Sequence, residues 1–231
     1  MNIIITGASR GIGYATALEL AQYPTHQVYV LSRNAAALEA LADTGEKKYG
    51  YRNIHVVPFD LRTPQDIKTH LSIEQLDVLI HNAGYLLNKD FKEVTLDDWQ
   101  KSFEVNIFGV AQLTQKLLPL LEASPRAHVV MISSMGGVQG SSKFPGLSVY
   151  SASKAALANL TECLAEEYKE STIRFNCLAL GAVQTEMLAA AFPDYEAPLT
   201  SKEMAEYLAD FSLNGHRFFN GKILPVAIST P

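Results

Sequence analysis

The chain has 231 residues, 48% of them hydrophobic and 19% charged, and a formal charge of −5. This is the composition of a globule with a sizeable core, and it excludes a disordered chain. The mild acidity and the lack of like-charge runs exclude a nucleic-acid-binding footprint.

In chain order the first segment, MNIIITGAS, has no basic stretch followed by a long apolar run. Neither a signal peptide nor a membrane span is expected, and the expected address is the cytoplasm. Short β-branched runs at 2–6, 27–32, 54–59, 76–80, 127–133, 173–180 and 222–228 read as strands. Most are apolar on both faces, as suits a parallel sheet covered on each side. Helical patterns lie between them at 11–23, 34–43, 63–73, 95–122, 149–170 and 200–213. Thr63-Pro64 with Asp66, and Thr95 with Asp97 and Asp98, look like helix starts. Asn106 and Gly109 suggest a kink inside the long fourth helix. The alternation predicts one α/β domain over residues 1–231, a Rossmann-type doubly wound parallel sheet of about seven strands with helices on both faces. Loops 135–147 and 184–199 follow strand ends, where such sheets bind ligands. Cys163 and Cys177 lack metal-ligand spacing and read as free buried thiols of a reducing compartment. The six histidines show no ligand-like grouping, so no metal is expected.

Two places carry chemistry. In IIITGASRGIG, Gly7, Gly11 and Gly13 stand between a strand and a helix. There, backbone N–H groups and the helix dipole can meet a pyrophosphate. The second strand ends in Ser32-Arg33-Asn34 without the carboxylate that would hold a ribose 2′-hydroxyl. Arg33, with Arg10 in the glycine loop, suits a 2′-phosphate instead, so NADP(H) is favoured over NAD(H).

The second place is SVYSASK, with Tyr150 and Lys154 one helical turn apart. Tyr85 and Lys89 share that spacing, so spacing alone decides nothing. A phenol titrates near about 10, and moving it to neutrality takes about 3 units, roughly 4 kcal/mol. An ammonium on the same helix face and a helix N-terminus both push that way. Tyr150 and Lys154 follow a Ser-bearing strand end and open a long helix. Tyr85 and Lys89 follow an Asn-Ala-Gly turn and read as a loop. A carbonyl under reduction also needs a donor to its oxygen, and Ser133-Ser134 at a strand end offers one.

TGASRGIG (6–13) resembles the cofactor signature of the short-chain dehydrogenase/reductase family. FDL (59–61), HNAG (81–84), FEVNIFG (103–109), MISS (131–134), YSASK (150–154) and LGAVQTEM (180–187) resemble its other elements, in its order and over nearly the whole chain. The resemblance implies direct hydride transfer between a nicotinamide and a small-molecule carbonyl or alcohol, with Tyr150 as acid/base. It also implies Ser134 as the polarising hydroxyl, Lys154 as tuner of the tyrosine and holder of the ribose, and Asn106 as holder of a water that resupplies protons. For the cofactor it implies contacts from Gly7, Ser9, Arg10, Gly11, Ile12, Gly13, Arg33, Asp60, Leu61, Asn82, Ala83, Gly84, Tyr150, Lys154, Gly181, Val183 and Thr185.

Three departures stand out. His81 replaces the family's usual Asn and is expected in the cofactor pocket. Leu180 replaces a Pro, which should loosen the loop after it. The stretch between Ser134 and Tyr150 is longer than usual, while 186–199 is short, predicting a small lid with Phe144, Phe192 and Tyr195 at the cleft. Small residues Ala152, Ala155, Ala156 and Ala158 permit close helix approach, and the resemblance implies a homodimer or homotetramer. Two other readings remain: a dinucleotide-binding regulator without turnover, and a sugar-nucleotide epimerase. The epimerase usually has two residues between its first glycines, against three here, and a larger C-terminal substrate region.

Overall fold

The computed structural model describes residues 1–63 and 66–228. Among them run strands β1 (Asn2–Thr6), β2 (Gln27–Ser32), β3 (Ile54–Pro58), β4 (Val78–His81), β5 (His128–Ser134), β6 (Arg174–Leu180), β7 (Val183–Gln184), β8 (Leu199–Thr200) and β9 (Lys222–Val226). Seven form one parallel sheet in the order β3-β2-β1-β4-β5-β6-β9, and β7 pairs with β8 apart from it. The helices are α1 (Gly11–Ala21), α2 (Ala35–Tyr49), α3 (Leu96–Phe103), α4 (Gly109–Glu122), α5 (Ser148–Glu167), α6 (Glu186–Ala191) and α7 (Ser201–Asn214).

The two faces of β1 show why the strand runs are apolar throughout. Ile3 and Ile5 enter a core with Leu20 of α1, Leu38 of α2 and Leu208 of α7. Ile4, pointing the other way, joins Leu113 and Leu117 of α4 and Leu157 of α5. Residues 3–6 of β1 are thus buried whichever way they point, the condition for a parallel sheet between two helical layers. The order reverses between β1 and β4, so the crevice at their C-terminal ends is the natural ligand site.

The predicted 95–122 helix is three pieces: α3, a π-helical turn Glu104–Phe108, and α4. Thr95 starts it with a reciprocal cap, its hydroxyl accepting from the Asp98 N–H at 3.2 Å while the Asp98 carboxylate accepts from the Thr95 N–H at 2.9 Å. Gly109 lets α4 approach the chain at Leu61, since a Cβ there would stand 2.6 Å from the Leu61 carbonyl oxygen.

The expectation of a helix over 63–73 fails. Among the described residues this segment holds only a 3₁₀ turn, Ile67–His70, begun by the Asp66 carboxylate accepting from the Lys68 N–H at 3.1 Å. Pro64, part of the expected start, lies outside the described residues. Ile67 is the only fully buried side chain of the turn, and Leu71 and Ile73 reach the same core from extended chain beyond it. The α2 helix runs past its expected end to Tyr49, where Gly50 closes it at φ +81°. Cys177 is buried as expected, but Cys163 is exposed on α5.

Candidate active site

The strand ends and their loops enclose a cleft of about 1250 Å³. Its glycine-loop side is made of backbone. Gly7 and Gly11 hold φ of +70° and +58°, a region side-chain-bearing residues rarely enter. A Cβ on Gly7 would stand 2.7 Å from the Ala83 Cα, so β1 and β4 end in near contact. The Asn82 amide donates to the Thr6 and Gly7 carbonyls at 3.1 Å each, and the Ala83 N–H donates to the Thr6 hydroxyl at 3.0 Å. The first turn of α1 has no side-chain cap, leaving its N–H groups for an anion. Ser9, Arg10 and Ile12 line the opening.

Further along, Arg33 lines the cleft at the end of β2, and Asp60 and Leu61 line it after β3. Arg10 and Arg33 are exposed, and among the described residues their guanidiniums make no hydrogen bond or ion pair. Asp60 is held by Arg62, whose side chain donates to both carboxylate oxygens at 3.1 and 2.8 Å and keeps the acid below its usual range. Two unengaged guanidiniums beside an uncapped helix start, with two glycines in left-handed turns, fit the phosphates of a dinucleotide.

Across the switch point, β5 ends at Ser134 and α5 brings Tyr150 and Lys154 beneath it. Two neighbouring serines have separate roles. The Ser133 hydroxyl donates to the Lys154 carbonyl at 2.8 Å and is buried, tying β5 to α5. Ser134 faces the cleft, accepts the Gly136 N–H at 3.2 Å, and favours the ionised form of the Tyr150 phenol. The Lys154 ammonium is buried, donates to the Ile132 carbonyl at 2.7 Å, and lies 5.8 Å from the Tyr150 ring centre.

The protonation of this pair differs from expectation. Burial pushes the Tyr150 phenol up to about 12, and the Ser134 hydrogen bond only partly opposes it. Burial also pulls Lys154 down to about 8. Desolvation penalises both charged forms. Tyr150 therefore stands as a neutral phenol at physiological pH.

Of the residues expected at the site, all but Gly13, His81 and Asn106 line this cleft. Gly13 lies behind it, where a Cβ would come within 2.5 Å of the Gly7 carbonyl oxygen. Asn106 is fully buried in the π-helical turn and acts on Tyr85 and α5. It accepts the Tyr85 N–H at 2.8 Å and donates to the Tyr85 carbonyl at 3.0 Å and to Ser153 at 2.8 Å. A Cβ on Gly84 would stand 3.5 Å from the Lys154 ammonium and 3.7 Å from the Asn106 carbonyl oxygen, so both face one point. His81, expected in the cofactor pocket, does not line it. Its ring is buried against the Thr114 hydroxyl at 2.9 Å, and burial holds it neutral with a pKa of about 3. The loop after Leu180 is tied down despite the missing Pro. Gly181 N–H donates to the Val226 carbonyl at 2.9 Å, Val183 is buried in β7, and Thr185 caps α6.

Sequence reasoning missed one wall. Tyr85 and Leu86 line the cleft, and the chain beyond them joins the two loops. Lys89 N–H donates to Gly146 O at 3.0 Å, and the Asn88 side chain donates to Ala191 O at 2.8 Å. Lys89 pairs with Asp98 at 2.7 Å, so it is no partner for a catalytic tyrosine. The segment's place at the C-terminal end of β4 was the available signal. Also unforeseen is Glu186, whose carboxylate would lie 3.5 Å from a Cβ on Gly11. Among the described residues no group of three or more His, Cys, Asp or Glu side chains could hold a metal, and no helix is long and apolar enough to cross a membrane.

Comparison with known proteins adds to this geometry. The family model for short chain dehydrogenases matches residues 1–196. An NADP-dependent 3-hydroxy acid dehydrogenase of Schizosaccharomyces pombe is 30% identical, with 89% of this chain and 84% of that protein covered. A short chain dehydrogenase from Escherichia coli, solved in complex with NADPH, superposes with a TM-score of 0.87 at 30% identity, covering 97% of this chain and 95% of that one. One from Shigella flexneri, solved with NADP, gives 0.85 at 30% identity, covering 97% and 95%.

Proposed function

This chain belongs to the short-chain dehydrogenase family, and from that premise we propose that it is an NADP(H)-dependent oxidoreductase acting on a small-molecule carbonyl or alcohol, with Tyr150 as the general acid/base. The observation that carries the reading is the convergence of Ser134, Tyr150 and Lys154 on one end of a cleft whose other end presents Arg10 and Arg33. The bound nicotinamide supplies or accepts the hydride. Arg33 and Arg10 would hold a 2′-phosphate, which an unpaired guanidinium recognises as a charge-assisted fork. The glycine loop and the start of α1 would take the pyrophosphate, and Asp60 with Leu61 the adenine side.

The chain's own residues handle the proton. Tyr150, protonated at neutral pH, donates to the carbonyl oxygen as it gains charge, while the Ser134 hydroxyl polarises that oxygen. Lys154, cationic below about pH 8, stabilises the phenolate left behind. Asn106 sits beside Lys154 at Gly84, where a proton resupply path would start. The neutral phenol suits the reductive direction. A cytoplasmic address and a homodimer or homotetramer go with this reading, and light scattering reads the assembly directly.

The test is oxidation of NADPH in the presence of aldehydes, ketones and quinones, with wild type against Tyr150→Phe. Turnover by wild type alone supports the proposal. Cofactor binding without turnover on any carbonyl would make the chain a dinucleotide-binding regulator.

A further inference from the structure

We propose that the substrate is an uncharged carbonyl compound bearing an aromatic or bulky aliphatic group, and that the cleft selects against carboxylates. This deepens the function proposed above and rests on it.

Among the described cleft-lining residues the cations are Arg10, Arg33, Arg62, Lys101 and Lys154. The first three belong to the ends of β1, β2 and β3. Three strand spacings separate the β2 end from the β5 end, about 14 Å, so Arg33 cannot serve a substrate held at Ser134. Lys154 is buried and committed to the Ile132 carbonyl. Lys101 remains, and Asp97 one helical turn before it takes its ammonium at 2.5 Å. Arg62 is paired with Asp60 at 2.8 Å, and Arg10, in the glycine loop, is assigned above to the cofactor phosphate. The described lining of the substrate end therefore offers no cation that is not already committed.

Its walls are apolar instead. Phe144 and Leu147 come from the loop after β5, and Met187, Leu188, Phe192 and Tyr195 from α6 and the segment beyond it. The ties of the Asn88 side chain and the Lys89 N–H hold these two loops to a common third wall, so the apolar residues face one space rather than two independent flaps. A carboxylate entering this space would shed water with no cation to replace it, the costly form of burial. An aryl or branched alkyl group would gain area against the aromatic rings. A site that leaves a substrate's charge unpaired discriminates strongly, whereas an added methylene is worth little.

A shape-matched pair tests this: para-methylbenzaldehyde and para-carboxybenzaldehyde with NADPH, reading kcat/KM. The expected ratio favours the methyl compound by about thirty-fold or more. Phe144→Lys and Tyr195→Arg place a cation on a partly exposed wall position, and each should shrink the ratio about five-fold or more, mainly through a lower KM for the acid. A wild-type ratio near one, or a ratio unmoved in both variants, overturns the inference while leaving the oxidoreductase reading intact. No turnover of either aldehyde while another carbonyl is reduced also overturns the inference alone, whereas NADPH binding with no turnover of any aldehyde, ketone or quinone removes that reading and the inference together.

Discussion

On the β1–β4 side of the cleft the recognition surface is backbone: Gly7 at φ +70°, Gly11 at φ +58°, and Asn82 bonded to two β1 carbonyls. On the β5–β6 side it is side chains carried by loops, with Phe144 and Tyr195 39% and 42% exposed. The first side offers N–H groups in fixed directions, as an invariant anionic ligand requires. The second offers apolar area on segments that can differ in length and sequence while the strand ends stay put. Ser134, Tyr150 and Lys154 lie at the seam, on β5 and α5 rather than on the loops, so the reacting geometry is fixed by the rigid part.

Breaking the rigid side should cost most. Gly13→Val drives a branched side chain into the Gly7 carbonyl and Asn82, and NADPH affinity should fall by about a hundred-fold or more, with a lower melting temperature. Calorimetric titration reads the first effect, and retained affinity would show that the β1–β4 contact is not tight.

Acid should act next. His81, beneath the β4 end, and His128, at the start of β5, are buried and neutral with pKa values of about 3 and 4, whereas unfolded histidines titrate near about 6.5. Between those values the unfolded chain binds more protons, so stability is lost as pH falls below about 6.5. At pH about 5 each histidine should cost about 2 kcal/mol relative to pH 7. Urea midpoints across that range read the loss, and His81→Asn should blunt it. A flat profile would mean that these rings are not sealed from solvent.

A smaller effect separates the two cofactors. Arg33→Ala should lower the preference for NADPH over NADH about tenfold in kcat/KM while sparing NADH, since one charge-assisted contact is lost. An equal loss for both cofactors would place Arg33 away from the 2′-phosphate.

The sheet was legible because its strands are short, β-branched and apolar on both faces, a pattern few other elements share. The π-helical turn was legible only as Asn106 and Gly109 interrupting a helix. The 63–73 segment was misread because Thr63 and Asp66 mimic a helix start, yet only Ile67 of the turn is fully buried. The short β7, β8 and α6 could not be read from 184–199, since pairing of Val183 with Leu199 and capping of α6 by Thr185 depend on three-dimensional placement. At the site, residue types and context singled out Tyr150 and Lys154, and the family resemblance chose Ser134 over Ser133; all three line the cleft. Residue types and context could not show that burial would raise the phenol rather than lower it, because desolvation depends on neighbours remote in sequence. Tyr85 escaped notice as wall for the same reason, its place fixed by Asn106.

The central claim is that the Tyr150 hydroxyl carries the proton at a site whose cofactor grip is separate from it. Removing that single oxygen in Tyr150→Phe tests it most directly, by measuring NADPH affinity and carbonyl-dependent NADPH oxidation on the same preparation. The account predicts affinity within about three-fold of wild type and turnover reduced by about a thousand-fold. Turnover within a few-fold of wild type would contradict it.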